Sequence, residues 1–329
     1  MSGGLPLALD AMGGDDAPGA IVRGARQAAS ELGVEVLLVG LPDAISAADP
    51  GDLEVLACSE VIGMHDDPGA SVRTKKDSSL VRAAEAVRDE RASAMISAGN
   101  TGATMASALL RMGRVKGVKR PAIATPIPVP GTTPTVLLDA GANADCQAEW
   151  LVQFAQMGSV FARSRFGVED PRVGLLSIGE EDTKGNALVK EAHGLLVGTP
   201  GIRFIGNVEG RDVMSADVDV VVTDGFTGNV VLKTLEGGMR FLQGKILEAA
   251  SSTPERMAAF EVLWPALEPV VTELDPDTYG GAMLLGVDGV CIISHGSSSD
   301  RAIVNALGVA REMVAADLVG AIAGAVAPS

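Results

Sequence analysis

A mostly parallel α/β sheet with helices on both faces is the fold class this sequence predicts, on three observations. Short aliphatic runs of strand length alternate with segments of helical spacing almost from end to end. The chain is 47% hydrophobic but only 3% aromatic, so its core rests on Ala, Val, Leu and Ile. Five apolar runs end in a polar residue, then glycine, then a helix start: Ser97-Ala-Gly-Asn-Thr-Gly102, Asp139-Ala-Gly-Ala-Asn143, Gly179-Glu-Glu-Asp-Thr-Lys-Gly-Asn186, Asp224-Gly-Phe-Thr-Gly-Asn229 and Ser294-His-Gly-Ser-Ser298. Glycine lets a backbone approach a ligand, and a helix start offers unpaired N–H groups with partial positive charge. In an open parallel sheet such junctions collect along the carboxyl edge, where ligands bind. Together they predict a site for an anionic, oxygen-rich ligand, although each alone reads equally as turn chemistry.

The elements follow in order. Leu5–Met12 is an apolar run, and Ala17–Leu32 has helical spacing with Pro18 in its first turn. Val34–Val39 and Leu53–Cys58 read as strands. Ser78–Arg91 sets Leu80, Val81, Ala84 and Val87 on one helical face, before a strand at Ala92–Ser97 and a helix at Asn100–Met112. Strands at Ala122–Val129 and Thr135–Leu138 flank the Pro130-Gly131 turn, and a long helix covers Asp145–Arg163. Arg172–Ile178, Arg203–Val208 and Val218–Thr223 are strands, with a helix at Ala187–Leu196 between the first two. Val230–Ala249 is helical, Val290–Ser294 is the last strand, and a helix runs from Arg301 onward. One catalytic unit over residues 1–329 is expected, with a helical insertion at 238–277 where strand signals vanish.

Several chemistries are excluded or weakened. A net charge of −16 leaves no overall positive field for a nucleic-acid backbone. The three cysteines, Cys58, Cys146 and Cys291, have neither disulfide-framework nor zinc spacing and read as reduced thiols of a cytoplasmic protein. No apolar run spans a bilayer, and the first residues lack the charged start of a signal peptide. The acidic loop around Lys184 has the wrong spacing for a P-loop. G-x-G-x-x-G, G-x-S-x-G and H-E-x-x-H motifs are absent, and three histidines are too few for a His-rich metal site.

The residues also carry a family resemblance. Asp10-Ala-Met-Gly-Gly-Asp15, Ser97-Ala-Gly-Asn-Thr-Gly-Ala103, Leu138-Asp-Ala-Gly-Ala-Asn143, Arg172-Val-Gly-Leu-Leu-Ser-Ile-Gly179, Lys184-Gly-Asn186, Phe204-Ile-Gly-Asn-Val-Glu209 and Val222-Thr-Asp-Gly-Phe-Thr-Gly-Asn-Val230 resemble the phosphate acyltransferase (PlsX) family in collinear order. Tyr279-Gly-Gly-Ala282 and His295-Gly-Ser-Ser298 followed by Arg301-Ala-Ile complete the pattern. The resemblance implies a three-layer α/β/α fold similar to isocitrate and isopropylmalate dehydrogenases and to phosphotransacetylase. It implies an enzyme moving a fatty acyl group from acyl carrier protein to inorganic phosphate, giving an acyl phosphate for phospholipid synthesis. It further implies a homodimer with no metal or organic cofactor and with peripheral contact at the inner face of the membrane. The residues of the loop Gly131-Thr-Thr-Pro134 and of Asp145-Cys-Gln-Ala148 depart from the family pattern.

Phosphate attacking a thioester needs neither a serine triad nor a metal-bound water; it needs positioning and oxyanion donors. Lys184 is the leading catalytic candidate, with Asn229 and Asp224, the aspartate orienting a Lys or Asn. Gly99, Asn100, Thr101, Gly102, Asn143, Gly185, Asn186, Gly228, His295, Gly296 and Ser297 are the candidate substrate-binding residues. Asn100, Asn143, Asn186 and Asn229 would act together as uncharged donors, though each alone reads as a cap or turn residue. Arg111, Arg114, Lys116, Lys119 and Arg120 form a basic run for docking an acidic carrier protein, with Arg73, Lys75 and Lys76 as a shorter second run. A merely solvated basic face is the competing account. Pro254–Leu274 is expected to form a helical hairpin facing lipid or a dimer mate, since Pro265 and Pro269 oppose one straight helix. The alternatives are a metal-dependent dehydrogenase of the same fold using Asp10, Asp139 and Asp224, or a non-enzymatic scaffold that binds acyl carrier protein.

Overall fold

The computed structural model describes residues 4–327. The elements run β1 (Leu7–Asp10), α1 (Gly19–Leu32), β2 (Val36–Gly40), α2 (Pro42–Ala47), β3 (Glu54–Ala57), α3 (Pro68–Thr74), α4 (Ser79–Arg88), β4 (Ala94–Ser97), α5 (Thr101–Ser107), β5 (Ala122–Ile127), β6 (Thr135–Leu138), α6 (Ala148–Phe166), β7 (Arg172–Leu176), α7 (Ala187–Val197), β8 (Arg203–Val208), β9 (Val220–Val222), α8 (Gly225–Ala250), α9 (Pro254–Leu274), β10 (Ala282–Leu285), β11 (Val290–Ile293), α10 (Asp300–Ala315) and α11 (Leu318–Val326). The strands form one sheet in the order β3-β2-β1-β4-β11-β10-β5-β6-β9-β7-β8. Its inner strands β1, β2, β4, β6, β9 and β11 are buried at every residue, which is why they read as unbroken aliphatic runs. The edge strand β3 is largely exposed.

Pairing is mostly parallel, and the exceptions organise the molecule. β10 is antiparallel to both neighbours, β11 and β5, and β5 is antiparallel to β6. The sheet therefore has two parallel halves, β3-β2-β1-β4-β11 and β6-β9-β7-β8, running in opposite directions. Their carboxyl ends nevertheless meet at one level. Ser97 lies beside Ile293, Ile293 beside Ala282, Met283 beside Ala124, and Ala124 beside Leu138. Leu138 in turn lies beside Val222, and Val222 beside Leu175. Opposed halves would normally send their strand ends to opposite edges; this register folds both sets onto the middle of the sheet.

The two faces differ. On one, a single continuous core joins Leu9, Ile96, Ala124, Leu138 and Val220 to Ile21 of α1, Phe154 and Phe161 of α6, Ile303 and Leu307 of α10 and Ile322 of α11. On the other face the core is split. One cluster holds Val39, Met95 and Ile293 under α4 and α5; a second holds Leu137, Val221 and Ile127 under α8. Leu232 of α8 touches both, at the seam.

Three expectations need correction. β10 stands where no strand was expected, because Ala-Met-Leu-Leu carries no alternation. α8 runs unbroken from Gly225 to Ala250 through Gly237 and Gly238, so no structural break falls at 238. α9 is a single helix continuing through Pro265 and Pro269, and the hairpin is formed by α8 with α9. No residue of α9 is buried, so backbone carbonyls that lose their donors to the prolines can be solvated.

Candidate active site

A cavity of about 680 Å³ lies over the seam, between β5, β10 and β11 on one side and α8 and the last turn of α9 on the other. The glycines after β9 place α8 there. A Cβ on Gly228 would lie 1.9 Å from the Asp139 carbonyl oxygen, and one on Gly225 would lie 2.6 Å from that of Asn143. The first turn of α8 thus presses onto the loop after β6, with the Gly225 N–H donating to the Asn143 carbonyl at 2.8 Å. Asp224 caps the helix, accepting from the Thr227 N–H and hydroxyl, both at 2.8 Å.

α8 then lays two adjacent ridges along the cavity. Asn229, Lys233, Glu236, Arg240 and Gln243 form a polar ridge at three- and four-residue spacing, and Leu232, Leu235 and Met239 form an apolar one beside it. The polar ridge faces the end of β11, where His295 Nε2 lies 3.7 Å from Glu236 Oε1. Lys233 pairs with Glu236 at 2.8 Å while keeping half its side chain exposed, and Arg240 makes no ion pair among the described residues. Burial and the Lys233 charge hold the His295 imidazole below its ordinary value, against the opposing pull of Glu236. Thr125 and Ser294 line the same cavity, and their hydroxyls, themselves buried, have no hydrogen-bond partner among the described residues.

Of the residues singled out by sequence, Gly99, Thr101, Asn229, His295 and Gly296 line this cavity. The four asparagines do not act alike. Asn100 caps α5 and spends its amide on the Met64 and Asp66 carbonyls; Asn186 caps α7 through the Val189 N–H. Asn143 donates to the Pro121 carbonyl and Asp139. Only Asn229 turns to the cavity. Gly102 packs on Pro68, while Ser297 is exposed outside the cavity wall. Lys184, Gly185 and Asn186 stand on the β7 loop and line no part of it; Lys184 is half exposed, 4.0 Å from Glu181.

Two buried carboxylates brace the junctions. Asp139 accepts from the N–H groups of Ile123, Gly141, Ala142 and Asn143 and from the Asn143 amide, at 2.8 to 3.1 Å, although burial still draws its pKa above the ordinary value. Asp10 accepts from Ser97 at 2.7 Å, and Ser97 accepts from the Gly99 N–H at 2.9 Å. Asp10, Asp139 and Asp224 each serve their own junction, and among the described residues no group of three or more His, Cys, Asp or Glu is placed to hold a metal ion. The cysteines are no better placed as nucleophiles: burial pushes Cys58 up to about 11 and Cys146 and Cys291 up to about 12.

The basic run sits by the turn between β10 and β11, Arg114 bridging to Val287 at the opposite end of β11 from His295, and Gly117 and Lys119 are bonded to Gln153 of α6, on the face away from α8. β5 starts where β6 ends, so Pro121, just after Arg120, is bonded to Asn143 at 2.8 Å. Arg114, Lys116, Lys119 and Arg120 are exposed, Arg120 lying over the Trp150 ring at 4.9 Å. Arg111 instead turns inward to Glu85 at 3.8 Å. Lys233, Arg240 and Thr125 were missed by sequence reasoning. The one available signal was the three- and four-residue recurrence of polar residues from Asn229 to Gln243.

Solved structures share this architecture. A phosphotransacetylase from Streptococcus pyogenes superposes with a TM-score of 0.64 at 16% identity, covering 96% of this chain and 95% of that one. A 4-hydroxythreonine-4-phosphate dehydrogenase from Klebsiella pneumoniae superposes with a TM-score of 0.55 at 12% identity, covering 94% and 99%. In sequence, a protein named phosphate acyltransferase from Heliobacterium modesticaldum is 50% identical over 97% of this chain and 96% of its own length. Another of that name from Dictyoglomus turgidum is 45% identical over 94% of both. Residues 5–320 match the family described as fatty acid synthesis protein, and with identity at this level over nearly the whole length the chain belongs to that family.

Proposed function

We propose that this protein transfers an acyl group from the thioester of an acyl carrier protein to inorganic phosphate. The observation that carries the reading is the pairing of ridges on α8: cations and donors for a phosphate lie beside an apolar surface for an acyl chain, in one cavity. The names of the relatives, phosphate acyltransferase, support the same chemistry. A phosphate oxygen attacks the thioester carbonyl carbon, the new C–O bond forms, the C–S bond breaks, and the thiolate leaves and takes up a proton. With a thiol pKa of about 8.5 the leaving group needs little acid assistance. Lys233 and Arg240 hold the phosphate against the carbonyl. Asn229, Thr125 and Ser294 supply neutral donors, and His295 contributes as a neutral imidazole. Lys184, the cation favoured by sequence, stands outside this group.

The carrier protein docks on the exposed basic run Arg114–Arg120, which offsets the repulsion expected from the net charge of −16. Phe241, Leu242, Leu247, Val262, Leu263 and Trp264 leave an exposed apolar surface on α8 and α9, which we assign to a second copy of the chain. The acids Glu255, Glu261, Glu268 and Glu273 on α9 weigh against an anionic lipid there. Trp264→Glu then yields monomers or aggregates in sedimentation velocity; an intact dimer that no longer sediments with vesicles would return the surface to lipid. Among the described residues no helix is long and apolar enough to cross a membrane. The test of the activity is release of carrier protein from its palmitoyl thioester with and without inorganic phosphate. Phosphate-dependent release with acyl phosphate as product is expected, and release at the same rate without phosphate contradicts the reading.

A further inference from the structure

The proposed transfer needs the acyl chain to lie somewhere definite, and the inference that follows rests on that reading. The apolar ridge of α8 faces Ile127 and Pro128 at the end of β5, with Leu235 packed on the cluster that contains Ile127. Beyond Met239, the cavity wall is the last turn of α9, through Val271 and Leu274. That turn is fixed on two sides. The Gly131 N–H donates to Glu273 Oε1 at 3.0 Å, and Asp275, one residue past Leu274, pairs with Arg301. The lining of α8 runs from Asn229 to Gln243, about 21 Å at the helical rise of 1.5 Å per residue, with polar and apolar ridges side by side along it.

We propose that this apolar wall, closed by Met239, Val271 and Leu274, gauges the length of the acyl chain. A methylene lying on the ridge gains roughly fourfold in binding. One that meets the pinned turn of α9 must displace a helix end held at Glu273 and Asp275. The residues that touch the reacting group, on the polar ridge and at His295, are separate from those that gauge the chain. Changing the wall therefore alters the ratio between donors.

The test compares kcat/KM for octanoyl, lauroyl, palmitoyl and stearoyl thioesters of carrier protein in the wild type and in Met239→Trp, Leu274→Trp and Leu274→Ala. Either tryptophan lowers the palmitoyl-to-octanoyl ratio by about tenfold or more, on the scale by which apolar pockets discriminate chain length. Leu274→Ala raises the stearoyl-to-palmitoyl ratio and decides the matter if a tryptophan variant does not fold. Damage to packing alone lowers all donors together and leaves the ratios intact, so wild-type ratios in the folded variants overturn the gauge. A wild type that makes no acyl phosphate from any donor overturns the acyl-transfer reading instead.

Discussion

The junction after β11 and the junction after β7 look alike in sequence and end at the same level of the sheet, yet only one meets the cavity. Ser294-His-Gly296 lines it; Gly179–Asn186 does not. The difference lies in strand order. Five strand spacings separate β11 from β7, about 24 Å at 4.8 Å each, several times the reach of a lysine side chain. The junction after β9 is four spacings away and still contributes, because α8 starts there and runs back over the seam to Glu236, beside His295. A glycine-marked strand end therefore says what a junction can bind, and the helix leaving it decides where its residues act.

The largest test of that contrast removes the brace of one junction. Asp139→Asn keeps the shape but turns an amide NH₂ toward donors, leaving buried N–H groups without an acceptor. Stability measured by denaturant unfolding falls by about 3 kcal/mol or more. Asp182→Asn in the β7 loop, whose partner is His193 at 3.3 Å and whose side chain is 81% exposed, changes it by less than about 0.5 kcal/mol. Equal losses would mean that the two junctions are built alike after all.

The second test sets the two cations against each other. Lys233→Ala lowers turnover by about 10²-fold, as loss of one positioned donor to developing charge does, while Lys184→Ala changes it by less than about threefold. Steady-state transfer to phosphate reads both. A larger loss in Lys184→Ala would bring the β7 loop to a reacting centre.

The smallest effect is a titration. His295 is held below its ordinary value of 6.5, first by burial and then by Lys233. As pH falls below 6.5, the unfolded chain takes a proton that the folded imidazole refuses. This group therefore subtracts stability from 6.5 down through its folded value and subtracts none above it. In an NMR titration its midpoint lies below 6.5 and moves up in Lys233→Gln; a wild-type midpoint above 6.5 would place no cation beside it.

Much of the fold was legible because buried parallel strands leave aliphatic runs and their helices leave periodic ones. β10 was not, since Ala282–Leu285 carries neither alternation nor β-branched residues, and with it went the reversal that turns one sheet into two halves. For the site, glycine marked the ends of β4 and β11, where Gly99 and Gly296 line the cavity. It marked Gly225 and Gly228 for a different reason, close packing of α8 on Asp139 and Asn143. Asn100 and Asn186 looked like ligands because caps and ligand donors use the same side chain. Lys233 and Arg240 sit a turn or more inside a helix, where a lone cation is ordinary, and only the three-dimensional neighbour His295 gives them meaning.

The central claim is that an anion is held by the polar ridge of α8 opposite His295. Calorimetric titration of inorganic phosphate into the wild type, Lys233→Ala and Lys184→Ala tests it most directly. The account predicts that Lys233→Ala weakens binding by about tenfold or more, the loss of one charge-assisted hydrogen bond, while Lys184→Ala binds as the wild type does. Phosphate bound normally by Lys233→Ala and lost in Lys184→Ala would contradict it.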